Sequence, residues 1–514
     1  MTNLSTQILV IGGGATGLGI AWDAALRGLK VVLVEQNDLA QGTSGRYHGL
    51  LHSGGRYVIS DPQSAMDCAA ENKILRSIAA HTIEDTGGVF IATPADPLDF
   101  PDRWQGASEE LGIPHSELNL KQLQEQEPLL NPRISRAFKV RDASLDSFDL
   151  SHALSASIVE AGGKVLLRHR VTRLIRKDGN VTGAQIKDRT TGEQFQLDAH
   201  VTINATGPWA QQMAGLAGVD VPISLGKGTM IAMATRMVNT VINRLKPPSD
   251  GDIVVPVGTV CVLGTTDVPV DSPDALDIEP WEIDLLLAEG DFMIPGLHSA
   301  RKLRAWAGIR PLYSPGKSTG EPRSLTRAHA LLDHKELDGV DGFISIIGGK
   351  LTTFRLMAEE TVDLVCDKLE QDRKCQTATT ELLSPEENHL FTLPDRLEHF
   401  AAERNREVRQ QLICECELVS VKQLEHAIRD PDFRSLDDVR RDLRLGMGPC
   451  QASFCAYRAA GVAARLKPTC LDGRFLFDFL EERWKGLRPI AWENELRQME
   501  LMRRIYLELF GEQK

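Results

Sequence analysis

The chain has 514 residues, 42% hydrophobic and 25% charged, which is enough for two or three domains with sizeable cores. The formal net charge is −13 and no dense basic patch interrupts it, so we expect no nucleic-acid partner. No basic segment followed by an apolar one begins the chain, so a secretory signal is not expected, and no stretch predicts a membrane span.

The first 35 residues follow the order of a dinucleotide-binding unit. An apolar run at 8–11 predicts a buried strand, and it leads directly into the glycine turn 12–17. A helix over 18–27 and a second apolar strand at 31–34 come next, and that strand ends on Glu35. Strand, glycine turn, helix, strand and acid in this spacing predict a nucleotide site rather than a plain structural turn.

Each key position of this unit has a physical role. Gly12 permits the tight turn, Gly14 lets the backbone approach a pyrophosphate, and Gly17 lets the helix pack close to the strand. The helix N-terminus offers free N–H groups to phosphates. Glu35 would accept hydrogen bonds from an unphosphorylated ribose, so the pattern favours FAD or NAD.

The segment 41–57 suggests which dinucleotide is bound. It is rich in Gly, Ser and His, and by composition alone it could be a polar connector. It resembles the flavin-contacting segment of the FAD-dependent glycerol-3-phosphate dehydrogenases, within the amino-acid-oxidase-like flavoproteins. Similar motifs of that family follow at 201–209, 264–267 and 343–355. The last of these is another strand, glycine turn and helix.

The resemblance implies FAD as cofactor and a set of contacts to it. The implied contact residues are Gly12, Gly14, Ala15, Thr16, Gly17, Glu35, Gln36, Thr43, Ser44, Arg46, His48, Gly49, Leu51, His52, Val171, Ala205, Thr206, Gly207, Gly349, Lys350, Leu351 and Thr352.

The resemblance also implies the reaction. Members of the family oxidise the C2 alcohol of sn-glycerol 3-phosphate to dihydroxyacetone phosphate, with hydride transfer to flavin N5. The substrate phosphate needs cations, and Arg56, Arg310, Arg327 and Lys350 lie in segments that match the family's substrate-contacting motifs. A surface ion pair is the commoner fate of a single arginine.

A base must accept the hydroxyl proton, and histidine is the usual group for this role. His52 is the first candidate and His48 the second, although each could instead be structural or orient the FAD. Single-chain aerobic members carry a histidine after a Lys-Gly-Ser segment. This chain has Met230 there, which cannot accept a proton.

Four cysteines near the C-terminus are spaced as metal ligands. Cys414 and Cys416 form a tight pair, and Cys450 and Cys455 follow after a glycine-rich stretch. The set resembles the bacterioferritin-associated-ferredoxin type of domain, which implies a 2Fe–2S cluster; zinc or free thiols are the alternatives. The angular spacing of a helix predicts Cys450 at a helix N-terminus and Cys455 in its second turn.

We therefore predict a mixed α/β chain in which a Rossmann-like FAD-binding domain is interrupted by an antiparallel-sheet substrate domain, and a small helical iron–sulfur domain follows. The predicted FAD-binding domain comprises 1–90, 146–221 and 307–370, and the substrate domain 91–145 and 222–306. A linker at 371–395 precedes the helical domain 396–514, which ends in a docking helix.

The cysteine domain points to the anaerobic, multi-subunit branch of this dehydrogenase family. That resemblance implies two partner subunits, one a second flavoprotein and the other a membrane-attached iron–sulfur protein, and indirectly a quinone. It places the chain peripherally on the cytoplasmic face of the inner membrane. Two alternatives are an amino-acid or hydroxy-acid oxidase, which would react with oxygen, and an electron-transfer or redox-sensing subunit without this substrate.

Overall fold

The structure is a computed structural model that describes residues 4–315, 328–384, 411–431, 433–468 and 474–505. Its β-strands are β1 Leu4–Ile11, β2 Val31–Val34, β3 Leu50–Leu51, β4 Ile83–Glu84, β5 Gly88–Ala92, β6 Ser116–Glu117, β7 Arg136–Val140, β8 Ala143–Leu145, β9 Lys164–Leu166, β10 His169–Lys177, β11 Asn180–Asp188, β12 Gln194–Asn204, β13 Ile223–Met233, β14 Val241–Arg244, β15 Ile253–Val257, β16 Val260–Gly264, β17 Val268–Val270, β18 Lys302–Tyr313, β19 His329–Asp333, β20 Phe343–Gly348, β21 Leu412–Cys414 and β22 Val419–Ser420.

The α-helices surround these strands and form most of the C-terminal region. They are α1 Ala15–Leu26, α2 Pro62–Ile78, α3 Phe100–Glu110, α4 Leu120–Gln126, α5 Ser147–Glu160, α6 Ala210–Ala217, α7 Pro280–Met293, α8 His334–Asp338, α9 Phe354–Lys368, α10 Val421–Arg429, α11 Leu436–Leu443, α12 Cys455–Leu466, α13 Arg474–Lys485 and α14 Glu493–Arg504.

The first sheet has a parallel core in the order β20, β12, β1, β2, β9. The strands β1 and β2 are buried along their apolar runs, as parallel strands covered on both faces must be. Helices α1, α5 and α9 cover one face. Gly19 lets α1 and α9 approach closely, because a Cβ at this position would lie 2.8 Å from the Phe354 ring.

The second sheet is mostly antiparallel and forms the substrate domain. Its order is β17, β13, β16, β15, β14, β5, β7, β6, and β18 pairs with the other side of β13. Helix α7 packs on it through a core that includes Ile283 and Leu286. The predicted class, a parallel FAD-binding domain interrupted by an antiparallel sheet, is confirmed.

Two predicted domain boundaries are wrong, because each cuts through a strand of the second sheet. Strand β5 begins at Gly88 and pairs with β7 and β14, so the substrate domain begins before residue 91. Strand β18 pairs with β13 from Ile223 to Met233, so residues 307–313 belong to the substrate sheet and not to the FAD-binding domain. Long strand pairing is set by partners distant in sequence, and local patterns do not reveal it.

The described part of the predicted linker, residues 371–384, packs on the FAD-binding domain. Leu382 is buried and its N–H donates to the carbonyl of Ile78 at 2.8 Å. Thr377 accepts a hydrogen bond from Arg355 at 3.2 Å. This segment is therefore an integral part of the domain surface. Residues 385–410 lie outside the described residues.

The C-terminal helices dock on both halves of the chain. Arg441 pairs with Asp38 next to the nucleotide fold, at 2.7 Å. On the other side, the carbonyl of Gly486 accepts a hydrogen bond from the N–H of Ala305 in β18. Met499 on α14 packs against the core of the substrate sheet, so part of the predicted docking helix covers this chain's own core. No helix in the described ranges is both long and apolar enough to span a membrane.

Candidate functional site

A cleft of about 1520 Å³ runs between the first sheet and the second sheet. It begins at the glycine turn that joins β1 to α1. Gly12 adopts φ +117°, and a Cβ at this position would lie 2.5 Å from the carbonyl oxygen of Ala205. A Cβ at Gly14 would meet only the Ser44 hydroxyl, so the backbone at this position is accessible to a ligand. The turn thus has the two features that pyrophosphate binding requires.

The acid at the end of β2 is part of the same turn. One carboxylate oxygen of Glu35 accepts from the N–H of Gly13 at 2.7 Å, and the other accepts from the N–H of Asn37 at 2.8 Å. Burial raises the pKa of this carboxyl, and these hydrogen bonds oppose the rise. The carboxylate is fixed at the edge of the cleft, where it can accept ribose hydroxyls.

The segment that the sequence assigned to the flavin also lines the cleft. Thr43 donates to the carbonyl of Ile309, which ties this segment to β18 of the second sheet at 2.5 Å. Ser44 accepts from the N–H of Ala15 at 3.0 Å, which ties it to the glycine turn. The segment therefore bridges the two domains beside the cleft.

Two arginines of the cleft are held by buried carboxylates. Nη2 of Arg56 donates to both oxygens of Asp252 at 2.8 and 3.0 Å, and Nη2 of Arg310 donates to Asp267 at 2.8 Å. A third cation, the Lys350 ammonium, lies 4.3 Å from the centre of the Tyr57 ring. All three side chains line the cleft. They form a cationic end suited to a phosphate group.

Both candidate histidines lie among these cations. Burial, followed by the positive charges of Arg56 and Arg310, lowers the pKa of His48 to about 3. Burial and then His48 and Lys350 lower the pKa of His52 well below its ordinary value. Both imidazoles are therefore neutral at physiological pH, and a neutral imidazole can accept a proton.

The hydrogen bonds separate the two histidines as candidate bases. Nδ1 of His48 lies 3.2 Å from the N–H of Leu50 and accepts from it, so its single proton is on Nε2. His48 can thus donate a hydrogen bond from Nε2 but cannot accept a proton there. The His52 ring packs against Tyr57 at 5.5 Å between centroids, and its backbone N–H donates to Thr352. This geometry favours His52 as the base.

A separate site is formed by the four cysteines. Cys450 lies close to Cys416 and Cys455, and Cys455 also lies close to Cys414, so the thiols approach one another in pairs. Within the described ranges, no three His, Cys, Asp or Glu side chains form a site for a single metal ion. A two-iron cluster instead takes a pair of thiolates on each iron, and the paired thiols fit this requirement.

The backbone of the cysteine loop also fits a bound cluster. Gln451 and Ala452 have φ of +49° and +72°, a backbone conformation that is uncommon for residues other than glycine. A Cβ at Gly448 would lie 2.3 Å from Cβ of Cys416, so the loop needs glycine to approach that ligand. The predicted helix register is wrong. Helix α12 begins at Cys455, and Cys450 lies in the loop before it.

Arg444 links the cysteine site to the FAD-binding domain. Its Nη1 donates to Asp146 at 2.5 Å, and its Nε donates to Glu417 at 3.1 Å. Asp146 caps the N-terminus of α5 in the FAD-binding domain, and Glu417 directly follows Cys416. The half-buried guanidinium therefore fixes the position of the cysteine loop relative to the nucleotide fold.

Comparison with known proteins agrees with both sites. Residues 7–364 match the family of FAD dependent oxidoreductases, and residues 412–465 match the BFD-like [2Fe-2S] binding domain. The chain is 42% identical to the A subunit of the anaerobic glycerol-3-phosphate dehydrogenase of Escherichia coli strain K12, over 99% of this chain and 98% of that relative. The chain belongs to the family of anaerobic glycerol-3-phosphate dehydrogenase A subunits. The cofactors of this family member are FAD and a 2Fe–2S cluster, as predicted.

Other relatives of this family and the solved structures extend the likeness. The A1 subunit of the Haloferax volcanii enzyme is 40% identical over 97% of this chain and 89% of its own length. The fold is similar to that of the FAD-complexed glycerol-3-phosphate dehydrogenase of Bacillus halodurans, with a TM-score of 0.58, 24% identity and coverage of 98% and 95%. It is also similar to the FAD-bound L-α-glycerophosphate oxidase of Mycoplasma pneumoniae, with a TM-score of 0.61, 19% identity and coverage of 74% and 100%.

The structure brings most of the sequence-selected residues of this family member to one cleft. Those that line it are Gly12, Gly14, Ala15, Thr16, Glu35, Gln36, Thr43, Ser44, Arg46, His48, His52, Arg56, Val171, Ala205, Thr206, Gly207, Arg310, Gly349, Lys350 and Leu351. The predicted contact residues Gly17, Gly49, Leu51 and Thr352 are not among the residues that line the cleft. A Cβ at Gly17 would lie 2.0 Å from the carbonyl oxygen of Gly12, so Gly17 serves helix packing. Arg327 lies outside the described residues.

Sequence reasoning missed several residues of the cleft. Asp252 holds Arg56 across 196 positions of the chain, and Ser249 lines the cleft beside it. Tyr57, at the end of the flavin-contacting segment, supports Lys350. Met230 lines the cleft as well, so the position of the aerobic histidine is filled by a thioether. An Asp in the turn Ser-Asp-Gly-Asp is typical of a loop, and no local signal connects it to a distant arginine.

Proposed function

We propose that this chain oxidises the C2 alcohol of sn-glycerol 3-phosphate to dihydroxyacetone phosphate in the cleft. The observation that carries the proposal is the convergence of Arg56, Arg310 and Lys350 around His48 and His52 in the cleft. FAD, when bound, supplies the two-electron acceptor for this oxidation. The relatives at 39–42% identity carry this activity in their name.

In this proposal the cations bind the substrate phosphate. Arg56 contacts Asp252 through Nη2 alone within the described part of the chain, so its other N–H groups are available to a ligand in the cleft. Arg310 is oriented by Asp267 and by the carbonyl of Thr266 at 2.7 Å. Because the carboxylates fix both guanidinium groups before the ligand arrives, less side-chain entropy is lost on binding.

His52 is the proposed base for the C2 hydroxyl. It lines the cleft next to the phosphate-binding cations, and it is neutral because burial and neighbouring charges disfavour its protonated form. His48 donates from Nε2 and is assigned to hold the substrate or the cofactor by a hydrogen bond. The two histidines then have different roles although they are close together in the sequence.

The remaining steps concern the electrons and the partners. We assign electron exit to the cysteine domain, where Phe454, next to Cys455, is 64% exposed and accessible to an acceptor. The named relatives are A subunits, so we propose that a second flavoprotein subunit together with a membrane-attached iron–sulfur subunit completes the enzyme and passes electrons to a quinone. The chain would then lie peripherally on the cytoplasmic face of the inner membrane through these partners.

The first test is a visible spectrum of the anaerobically purified chain before and after addition of glycerol 3-phosphate. We expect the flavin bands to bleach, and the Arg310→Met variant to need a much higher substrate concentration. Glycine and glycolate serve as control substrates that carry a carboxylate. Bleaching by these two but not by glycerol 3-phosphate would refute the proposal in favour of an oxidase, which would also turn over with oxygen. A flavin that no substrate reduces would favour an electron-transfer or sensing role.

A further inference from the structure

Three arginines at the junction of the cleft and the cysteine domain lack a carboxylate partner among the described residues. Arg46, Arg304 and Arg483 form no ion pair there, in contrast to the neighbouring Arg440 and Arg441. Arg483 is only 1% exposed, and its Nε has no hydrogen-bond partner within the described ranges. A buried arginine such as Arg483 without an ion-pair partner is uncommon enough in proteins to need an explanation.

A buried guanidinium without an anion carries a large desolvation cost. Burial lowers the pKa of Arg304 to about 10, and burial together with Arg304 and Arg440 lowers the pKa of Arg483 well below its ordinary value. An arginine does not lose its proton in proteins, so the charge must be compensated rather than titrated. The site therefore needs a negative charge nearby.

The arginines lie between the cleft and the cysteine loop. Arg46 lines the cleft. Arg304 projects from β18 over Gly486, where a Cβ would lie 2.6 Å from its Nε. Arg483 on α13 donates from Nη2 to Oε1 of Gln451 at 2.7 Å.

Gln451 connects Arg483 to the cysteine loop itself. Its Nε2 donates to the carbonyls of Met447 and Gly448 at 3.1 and 3.0 Å, and it directly follows Cys450. Arg483 is thus separated from a cluster ligand by one side chain. Cys455 also lies within electrostatic range of Arg483.

Nearby carboxylates do not neutralise this positive region. Asp437 acts on Arg483 and Arg304, but it also pairs with both Arg440 and Arg441, so this one carboxylate faces four guanidinium groups. Glu482 is about half exposed and pairs with Lys485, so solvent screens it. Arg483 and Arg304 consequently remain as a net positive region beside the thiols.

We propose that Arg483, assisted by Arg304, compensates the negative charge of the 2Fe–2S cluster and raises its reduction potential, so that it accepts electrons released in the cleft. A cluster held by four thiolates is anionic, and one-electron reduction adds a further negative charge without any change of ligand. A fixed positive charge in a buried site stabilises the reduced form more than the oxidised form. The inference rests on the iron–sulfur part of the proposed function.

An anaerobic redox titration of the whole cofactor-loaded chain, with redox mediators and without substrate, tests this. The cluster is followed by its electron paramagnetic resonance signal and the flavin by its absorbance. In Arg483→Gln we expect the ratio of reduced to oxidised cluster at a fixed potential to fall about tenfold, which is about 59 mV for one electron. Arg304→Gln, which leaves the cysteine loop untouched, should shift the ratio in the same direction by a smaller factor.

The matched control is Arg458→Gln. Arg458 is also close to Cys455 and Cys414, but its side chain is 41% exposed and pairs with Glu415, so its removal should leave the midpoint unchanged. The proposal is overturned if Arg483→Gln keeps the wild-type midpoint, if Arg458→Gln shifts it equally, or if only the flavin midpoint moves. If Arg483→Gln loses iron, the midpoint potential of the cluster in Arg304→Gln decides, and an unchanged midpoint there overturns the proposal. Because substrate is absent, this result is independent of whether glycerol 3-phosphate reduces the flavin.

Discussion

Asp252 receives two hydrogen bonds from Nη2 of Arg56, at 2.8 and 3.0 Å, and is itself fully buried. The same carboxylate accepts from the N–H of Ser249 at 2.7 Å, which holds the turn that lines the cleft. A residue that no substrate atom needs to touch therefore fixes both a proposed phosphate-binding arginine and the wall beside it. This relationship makes Asp252 a positioning residue with a measurable role.

Asp252→Asn should raise the KM for glycerol 3-phosphate with little change in kcat. The amide keeps the shape of the carboxylate but loses the charge-assisted hydrogen bonds, which are worth about 1.5–3 kcal/mol, or roughly 10–100-fold in kcat/KM. Steady-state reduction of an artificial dye under anaerobic conditions measures both constants. Asp99→Asn is the matched control, because Asp99 pairs with Arg103 on the surface. An unchanged KM in Asp252→Asn would show that Arg56 does not bind the phosphate.

Gly12→Ala should abolish FAD retention. The positive φ of Gly12 and the carbonyl of Ala205 at 2.5 Å leave no room for a methyl group, so the turn must shift away from the pyrophosphate position. Gly215→Ala is the control, because nothing lies within 4 Å of a Cβ there. The flavin-to-protein absorbance ratio after gel filtration measures retention. Full flavin content in Gly12→Ala would mean that the turn does not contact the cofactor.

The sequence was sufficient for the fold class and both cofactors. Local patterns predicted a dinucleotide site and a four-cysteine site, and the family resemblance supplied the choice of FAD and a 2Fe–2S cluster. The glycine turn, the strand that ends on Glu35 and the four cysteine positions are short motifs whose backbone requirements appear within a few residues. The substrate sheet was harder. Strand β18 pairs with β13 across the predicted boundary at 306, and no local composition change marks that boundary.

The contacts that complete the site could not be predicted, for the same reason. The Arg56–Asp252 pair joins residues 196 positions apart, and the Arg355–Glu71 pair joins residues 284 positions apart. A single sequence does not reveal which distant charges meet. The predicted start of the helix at Cys450 was wrong for a different reason. A loop with positive φ at Gln451 and Ala452 takes the place of the predicted first turn.

His48→Gln should make the folded chain less sensitive to acid. The pKa of His48 is about 3 in the folded chain against an ordinary 6.5, so unfolding takes up a proton between these values. The contribution of neutral His48 to the free energy of unfolding is therefore complete above about pH 6.5 and is lost as the pH falls toward 3. By pH 4 this loss amounts to ~3 kcal/mol. Urea unfolding from pH 7 to pH 4 measures the slope.

The control for this experiment is His298→Gln, since His298 is largely exposed and pairs with Asp291. It should retain the wild-type slope. An equally steep loss of stability in His48→Gln would show that another group dominates the acid response, and it would weaken the assignment of His48 as a neutral hydrogen-bond donor.

Glu282→Gln should destabilise the substrate sheet. Glu282 is fully buried and accepts from Lys227 at 2.8 Å and from Thr229 at 2.7 Å, so the amide leaves a buried ammonium without its counter-charge. Breaking one partner of a buried pair costs about 3–5 kcal/mol. Thermal unfolding measures the loss, and Asp372→Asn, in a fully exposed pair with Lys374, should leave the Tm unchanged. If Glu282→Gln changed the Tm no more than the control does, water would have replaced the lost contact.

Gly448→Ala should remove the iron–sulfur cluster and keep the flavin. The added methyl would lie 2.3 Å from Cβ and 3.2 Å from Sγ of Cys416, so either the loop or that ligand must move. Gly461→Ala makes the same change on α12, where nothing lies within 4 Å, and should keep both cofactors. Iron and acid-labile sulfide per flavin are the measurements. Arg444 fixes the cysteine loop to the FAD-binding domain without contacting the thiols, so the flavin content should stay unchanged when iron is lost. Loss of both cofactors together would show that the FAD-binding domain and the cysteine domain fold as one unit.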